Sequence, residues 1–265
     1  MKKIIALGLI IVLPSLILSQ SNFISKLKNK IIAKTEQNIK SKKTTGKLYG
    51  IDVSHHQGKI EWKKVKKWKN KRLIFVYVKA TEGATYVDKT YKRNIKGAHE
   101  SDFLVGSYHY FRTTSSIEDQ FQNFINTIDK NQQDLIPLID VEEKSDWTND
   151  EFHKKFTAFL KKIEKYFGKK PMIYTVNSFY NLNLSGRYRD YHFLIGRYGK
   201  NEPNMRDKSN WTVWQFSETG KVEGITKPVD IDVINDKYNV CLLYTSDAAD
   251  ETPCVDLGGR RIIKK

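Results

Sequence analysis

Three carboxylates fall within four positions at the end of one apolar run, Leu135-Ile136-Pro137-Leu138-Ile139-Asp140-Val141-Glu142-Glu143. Alternation along a strand puts Asp140 and Glu142 on one face, with Val141 and Glu143 on the other. Two acids side by side at the end of a buried strand repel each other and are partly desolvated. Their pKa values are then pushed apart, so that one stays protonated near neutral pH while the other ionises. Acid-assisted cleavage of a glycosidic bond needs such a pair. The same pattern also describes a strand running out into a solvated acidic loop, and these nine residues leave both readings open.

The elements that would have to position this pair can be read from the spacing of apolar residues. Strand-like runs cover residues 49–53, 73–78, 104–111, 135–141, 172–175, 193–198, 212–216 and 229–234. Helix-like segments fill the early gaps at 61–69, 91–100, 117–129 and 149–167. In the last of these Phe152, Phe156, Phe159, Leu160, Ile163 and Phe167 recur at helical spacing, which predicts a core-facing stripe. Asn149 reads as its cap and Gly168 as its stop. Strands separated by helices over the first half predict an α/β fold, a single TIM-like barrel that runs short of helices toward its end. An open doubly wound sheet would want a GxGxxG after a strand, and none occurs.

Barrel enzymes gather their catalytic groups at the C-terminal ends of strands. Acids stand at four such ends here: Asp52, Glu82, Asp140 with Glu142, and Asp230 with Asp232. That distribution favours the catalytic reading of the first stretch.

Charge and cysteine usage bound the setting. The 265-residue chain carries a formal net charge of +16. Residues 1–21 read as a signal peptide, with Lys2-Lys3, an apolar run from Ile4 to Leu18 and a small-residue exit. A membrane anchor is the alternative, although the apolar run is short for a spanning helix. Residues 22–47 are a basic linker with eight Lys and one acid, suited to membrane phosphate or anionic wall polymer. A secreted chain meets little nucleic acid, which argues against that partner for a basic protein. The two cysteines are Cys241 and Cys254, so the main domain at 48–240 relies on its core. Residues 241–265 (CLLYTSDAADE, then VDLGGRRII) resemble translated sequencing-library adapters, and are expected to be a non-native tail that packs poorly.

Six motifs, in order, carry a family resemblance: Gly50-Ile51-Asp52-Val53-Ser54-His55-His56-Gln57-Gly58, Val78-Lys79-Ala80-Thr81-Glu82-Gly83, Gly106-Ser107-Tyr108-His109-Tyr110-Phe111, Asp140-Val141-Glu142, Trp214-Gln215-Phe216-Ser217 and Val229-Asp230-Ile231-Asp232. The chain resembles glycoside hydrolase family 25, the Chalaropsis-type lysozymes or N-acetylmuramidases, over about residues 48–238. The resemblance implies a flattened (β/α)5β3 barrel. It also implies cleavage of the β-1,4 bond between N-acetylmuramic acid and N-acetylglucosamine in peptidoglycan, without metal or cofactor. By position Glu142 matches the general acid, Asp140 its partner, and Asp52 and Asp230 two further acids of the cleft. Asp232 shares a strand face with Asp230 and competes for the last match. Gly196 stands where such proteins usually carry Ala.

Other candidates are read with their plainer roles beside them. Tyr108, Tyr110, Tyr174, Tyr198 and Trp214 offer sugar-stacking faces or core packing. Glu82 is a substrate contact, or part of a tight turn with Gly83. His55-His56 lacks the spacing of metal ligands, and His109 is expected to hydrogen-bond within the barrel mouth. The run Lys63-Lys64-Val65-Lys66-Lys67-Trp68-Lys69 reads as a solvated helix face with Val65 and Trp68 inward. No GxSxG elbow or P-loop occurs, which disfavours acyl-transfer and nucleotide chemistry.

Together these readings describe a monomeric muramidase, secreted or held at the cell envelope, with peptidoglycan strands as its partner. A non-catalytic peptidoglycan-binding module would be expected to lack Asp140 or Glu142, and a chitinase-type hydrolase to carry DxxDxDxE. For an N-acetylated sugar, attack by the substrate's acetamido group and attack by water both remain open.

Overall fold

The computed structural model describes residues 47–238 together with Leu243 and Tyr244. Residues 1–46, which hold the expected signal peptide and most of the expected linker, and all other residues beyond 238 lie outside that description.

Eight strands close a barrel: β1 Tyr49–Val53, β2 Lys71–Glu82, β3 Leu104–Tyr110, β4 Leu138–Asp140, β5 Met172–Val176, β6 Phe193–Gly196, β7 Val213–Gly220 and β8 Val229–Ile234. Neighbours from β1 through β7 run parallel. β8 closes the ring antiparallel to both β7 and β1. Helices α1 (Tyr91–His99), α2 (Ile117–Thr127) and α3 (Asn149–Phe167) cross between strands β2 to β5. A short helical stretch over 177–184 follows β5, and the last three strands are joined by loops. The expected flattened (β/α)5β3 barrel is therefore the observed one.

Two sides of each strand build two cores. Phe75, Tyr77, Leu138, Met172, Tyr174, Leu194 and Val213 fill the barrel. Val76, Val78, Ile139, Ile173, Ile195 and Ile231 belong to a second, outer cluster together with the predicted stripe of α3, every member of which is buried. Closure is tight where β1 crosses β2: a Cβ on Gly50 would lie 2.3 Å from the Phe75 ring.

Local chemistry accounts for the departures from expectation. β4 is only three residues long, because Pro137 has no N–H for the ladder and pairing starts after it. The cap of α3 is Thr148 and not Asn149; Thr148 Oγ1 accepts from the Glu151 N–H while Glu151 reaches back to the Thr148 N–H. Residues 61–69 do not form a helix. Glu61 supplies no side-chain cap, and Val65 turns extended after one 3-10 turn at Trp62–Lys64. Lys67–Trp68 then pair with Lys71 and Arg72 as a hairpin. Val65 is buried as expected, but Trp62 is the buried indole and Trp68 only half-buried.

Of the tail, Leu243 and Tyr244 are described, and both pack. The Ile136 N–H donates to the Leu243 carbonyl at 2.7 Å, Leu135 bridges to Tyr244, and Leu243 is buried in the barrel-interior cluster. These two positions depart from the poor packing expected of that segment.

Candidate active site

The C-terminal ends of the strands open into a cleft of about 300 Å³. Asp52, Lys79, Tyr110 and Asp140 enter it toward the C-terminal ends of parallel strands, whereas β8 runs antiparallel and brings Asp230 in near its N-terminal end, not at a C-terminal strand end as expected.

Asp140 is the last residue of β4, set between Tyr110 on β3 and Tyr174 on β5. The strand ends there, with one further bond from the Val141 N–H to the Tyr174 carbonyl at 3.0 Å, and Asp140 and Glu142 remain close enough for each to act on the other's charge. Asp140 is 8 % exposed and Glu142 half-buried. Burial raises both carboxyls above the usual range, Asp140 the more strongly because the charge of Glu142 adds to it. At Glu142 burial is the largest cause of the rise, and the contact with Asp140 pulls the other way.

Across the mouth, Asp52 on β1 lies directly opposite Asp230 on β8 at the antiparallel seam. Burial and the charges of Asp230 and Asp232 hold Asp52 well above the normal value. Asp230 is pushed up to about 6 by burial and by the charge of Glu218. Asp232 points to the same side two residues along, but it is not part of the cleft lining. It is fully buried, and neither carboxyl oxygen has a hydrogen-bond partner. Burial raises its carboxyl well above the usual range, and of the two aspartates Asp230 is the one that reaches the cleft.

Tyr108, Tyr110, Tyr174 and Tyr198 all line the cleft. Trp214 does not. Its neighbour Gln215 takes the inward phase of β7, which turns Trp214 into the outer core, where Nε1 donates to the Arg197 carbonyl at 2.7 Å. Glu82 also stays outside the lining. It accepts from Lys79 Nζ at 2.6 Å and from Arg112 Nη2 at 2.6 Å, and these cations hold its carboxyl below the usual range against the opposing effect of burial. Arg112 Nη1 reaches Glu143 at 3.2 Å, which ties that acid away from Asp140 and Glu142.

Sequence reasoning passed over three polar cleft residues: Lys79, Gln215 and Glu218. Lys79 was within reach, because Phe75, Tyr77 and Lys79 alternate along β2 and its last inward position is a cation. Its ammonium lies 5.1 Å from the centre of the Tyr110 ring, and its charge lowers both Asp140 and Glu142.

The histidines take structural places. His55 pairs through Nδ1 with Asp88 at 3.0 Å. His109 is not in the barrel mouth as expected. It is buried on the outer face of β3, bonded to Thr81 at 2.7 Å and packed against Phe124 and Phe159.

Comparison with known proteins agrees with this geometry. The family model described as glycosyl hydrolases family 25 matches residues 51–225. Uncharacterized protein YegX of Escherichia coli (strain K12) is 38% identical over 208 residues, 78% of this chain and 76% of its own length. The autolytic lysozyme of Clostridium acetobutylicum is 34% identical over 188 residues, 70% of this chain and 55% of that protein. The structure of a family 25 glycosyl hydrolase from Bacillus anthracis is similar with a TM-score of 0.65 at 29% identity, over 77% of this chain and 92% of the other.

Proposed function

The chain belongs to glycosyl hydrolases family 25, and we propose that it is a muramidase cleaving the β-1,4 bond between N-acetylmuramic acid and N-acetylglucosamine in peptidoglycan. The observation that carries this reading is the meeting of two acid pairs, Asp140 with Glu142 and Asp52 with Asp230, in one cleft at the strand ends. The similarity to an autolytic lysozyme supports the choice of substrate.

In this reading Glu142 is the general acid. Half-buried, with its carboxyl raised by burial, it carries the proton that the departing O4 of N-acetylglucosamine needs. Asp140 sits beside it, positioned to steady the acetamido group of the muramic acid. Positive charge growing at the anomeric carbon faces the Asp52–Asp230 pair. Tyr108, Tyr110, Tyr174 and Tyr198 supply ring faces against the sugars. Carboxyl groups suffice for this hydrolysis, and the proposal calls on no metal or cofactor.

The same proposal places the protein outside the cytoplasm, secreted or tethered at the envelope, and acting as a monomer. The positively charged start, the apolar run from Ile4 to Leu18 and the basic linker support that placement. Among the described residues no helix is long and apolar enough to cross a membrane.

Digestion of purified peptidoglycan followed by mass spectrometry of the new reducing ends tests the reading. Muramic-acid ends are expected. Glucosamine ends would make the enzyme a glucosaminidase, and intact strands bound without cleavage would make it a binding module.

A further inference from the structure

Gln215 stands at the centre of a hydrogen-bond array that the acid chemistry alone leaves unexplained. It is 4 % exposed at the inward end of β7. Its Oε1 accepts from the Tyr174 hydroxyl at 2.9 Å and from the Tyr198 hydroxyl at 3.1 Å. Its Nε2 donates to Asp52 Oδ2 at 2.7 Å. The two phenols saturate the amide oxygen. Turning the amide over would set its carbonyl against a carboxyl oxygen, so the tyrosines decide which end of the amide meets Asp52.

We propose that Gln215, oriented by Tyr174 and Tyr198, is a positioning residue that confines the proton of the Asp52–Asp230 pair to the Oδ1 side of Asp52 and leaves Asp230 as the anion. An amide nitrogen only donates, so Asp52 Oδ2 only accepts and cannot itself hold a proton. A proton on Asp52 then sits on Oδ1, and Asp230, its direct cross-strand neighbour, is left as the ionised member of the pair. One anion then has a fixed place in the cleft, instead of a charge that wanders between two acids. Fixed charges that need no reorganisation during the reaction are the ones that stabilise a transition state. Gly196 makes the array fit. A Cβ there would come within 2.8 Å of the Tyr174 hydroxyl and 3.3 Å of Gln215 Oε1.

The inference rests on the muramidase reading, and the experiment separates the two. Turnover of purified peptidoglycan is measured for the wild-type chain, Gln215→Leu, Tyr174→Phe, Tyr198→Phe, the double Tyr174→Phe/Tyr198→Phe and Gly196→Ala. A wild-type chain that releases no muramic-acid ends sinks the function itself. With an active wild type, Gln215→Leu is expected to lower kcat about 10- to 100-fold while KM stays within about threefold. The double tyrosine variant should lose more than the product of its two single losses, because either hydroxyl alone can still hold the amide. Gly196→Ala should behave like Tyr174→Phe. An unchanged kcat in Gln215→Leu, or a loss confined to KM, would overturn the proposal. If Gln215→Leu does not fold, the tyrosine double variant, which keeps both rings, decides by the same criteria.

Discussion

Asp52 and Asp230 are directly cross-strand neighbours at the antiparallel seam between β1 and β8, so the barrel closes on two groups of like charge. Such a pair opposes folding whenever both members ionise. Asp230 is pushed up to about 6 by burial and by Glu218. Below about pH 3 it is protonated in the folded and unfolded chain alike and costs nothing. As pH rises from there through about 6, the unfolded chain gives up the proton more readily, and the native state loses stability. Asp230→Asn should therefore gain roughly 2 kcal/mol of unfolding free energy at pH 7 and almost none at about pH 3, while hydrolysis falls. Urea unfolding at the two pH values checks this. A gain of equal size at both would mean that charge is not its source.

Glu142→Gln removes the transferable proton but keeps the shape of a side chain whose charged form is already disfavoured by burial. Clearing of cell-wall suspensions should drop by about 10²- to 10⁴-fold, with the melting temperature held or slightly raised. Full lysis by a folded Glu142→Gln variant would remove Glu142 from the role of general acid.

How far the site can be read from the chain depends on what kind of interaction fixes each residue. Asp140 and Glu142 are legible because both the strand and its period of two lie in nine consecutive residues. Asp52 and Asp230 follow once the barrel is recognised, since strand ends converge at one mouth. Trp214 shows the limit of that logic. Alternation along β7 says that Trp214 and Gln215 face opposite ways, but the choice between them comes from the neighbouring strands, and it went to Gln215. Glu82 was misread for a related reason: Arg112, the cation that draws it out of the cleft, is thirty residues away in the chain. The 61–69 segment failed because lysines around Val65 and Trp68 satisfy a helical pattern, while a pairing with Lys71 and Arg72 claims the backbone instead.

Lys79 is the one basic group among the cleft-lining residues, and its charge lowers both Asp140 and Glu142. Lys79→Met should therefore let both acids rise. Activity requires Glu142 to be protonated, so the alkaline limb of the pH–rate profile should move to higher pH. The variant also deprives Glu82 of one of its two cations, and a modest loss of stability is expected at neutral pH. A profile measured with short glycan fragments checks the direction. An alkaline limb that stays in place or moves down would show that Lys79 does not act on the acid pair.

His109 provides a test outside the cleft. Its Nε2 faces Gln120 Oε1 at 3.3 Å, an acceptor, so Nε2 carries the hydrogen and Nδ1 accepts from the Thr81 hydroxyl at 2.7 Å. That neutral ring is sealed between β3 and the helices, and burial pushes its pKa down to about 3. Its stabilising effect is complete above the unfolded value of about 6.5 and is lost as pH falls toward 3, at up to about 1.4 kcal/mol per pH unit. His109→Gln should cost about 1–3 kcal/mol at pH 7 through broken hydrogen bonds and packing. By pH 4.5 the gap to the wild-type chain should narrow by roughly 2–3 kcal/mol, because the glutamine has no proton to take up. Urea unfolding curves for the two proteins at both pH values give the comparison. A gap that stays constant would mean that the ring is protonated within the fold, and that the Thr81–His109–Gln120 chain is not the neutral array drawn from its distances.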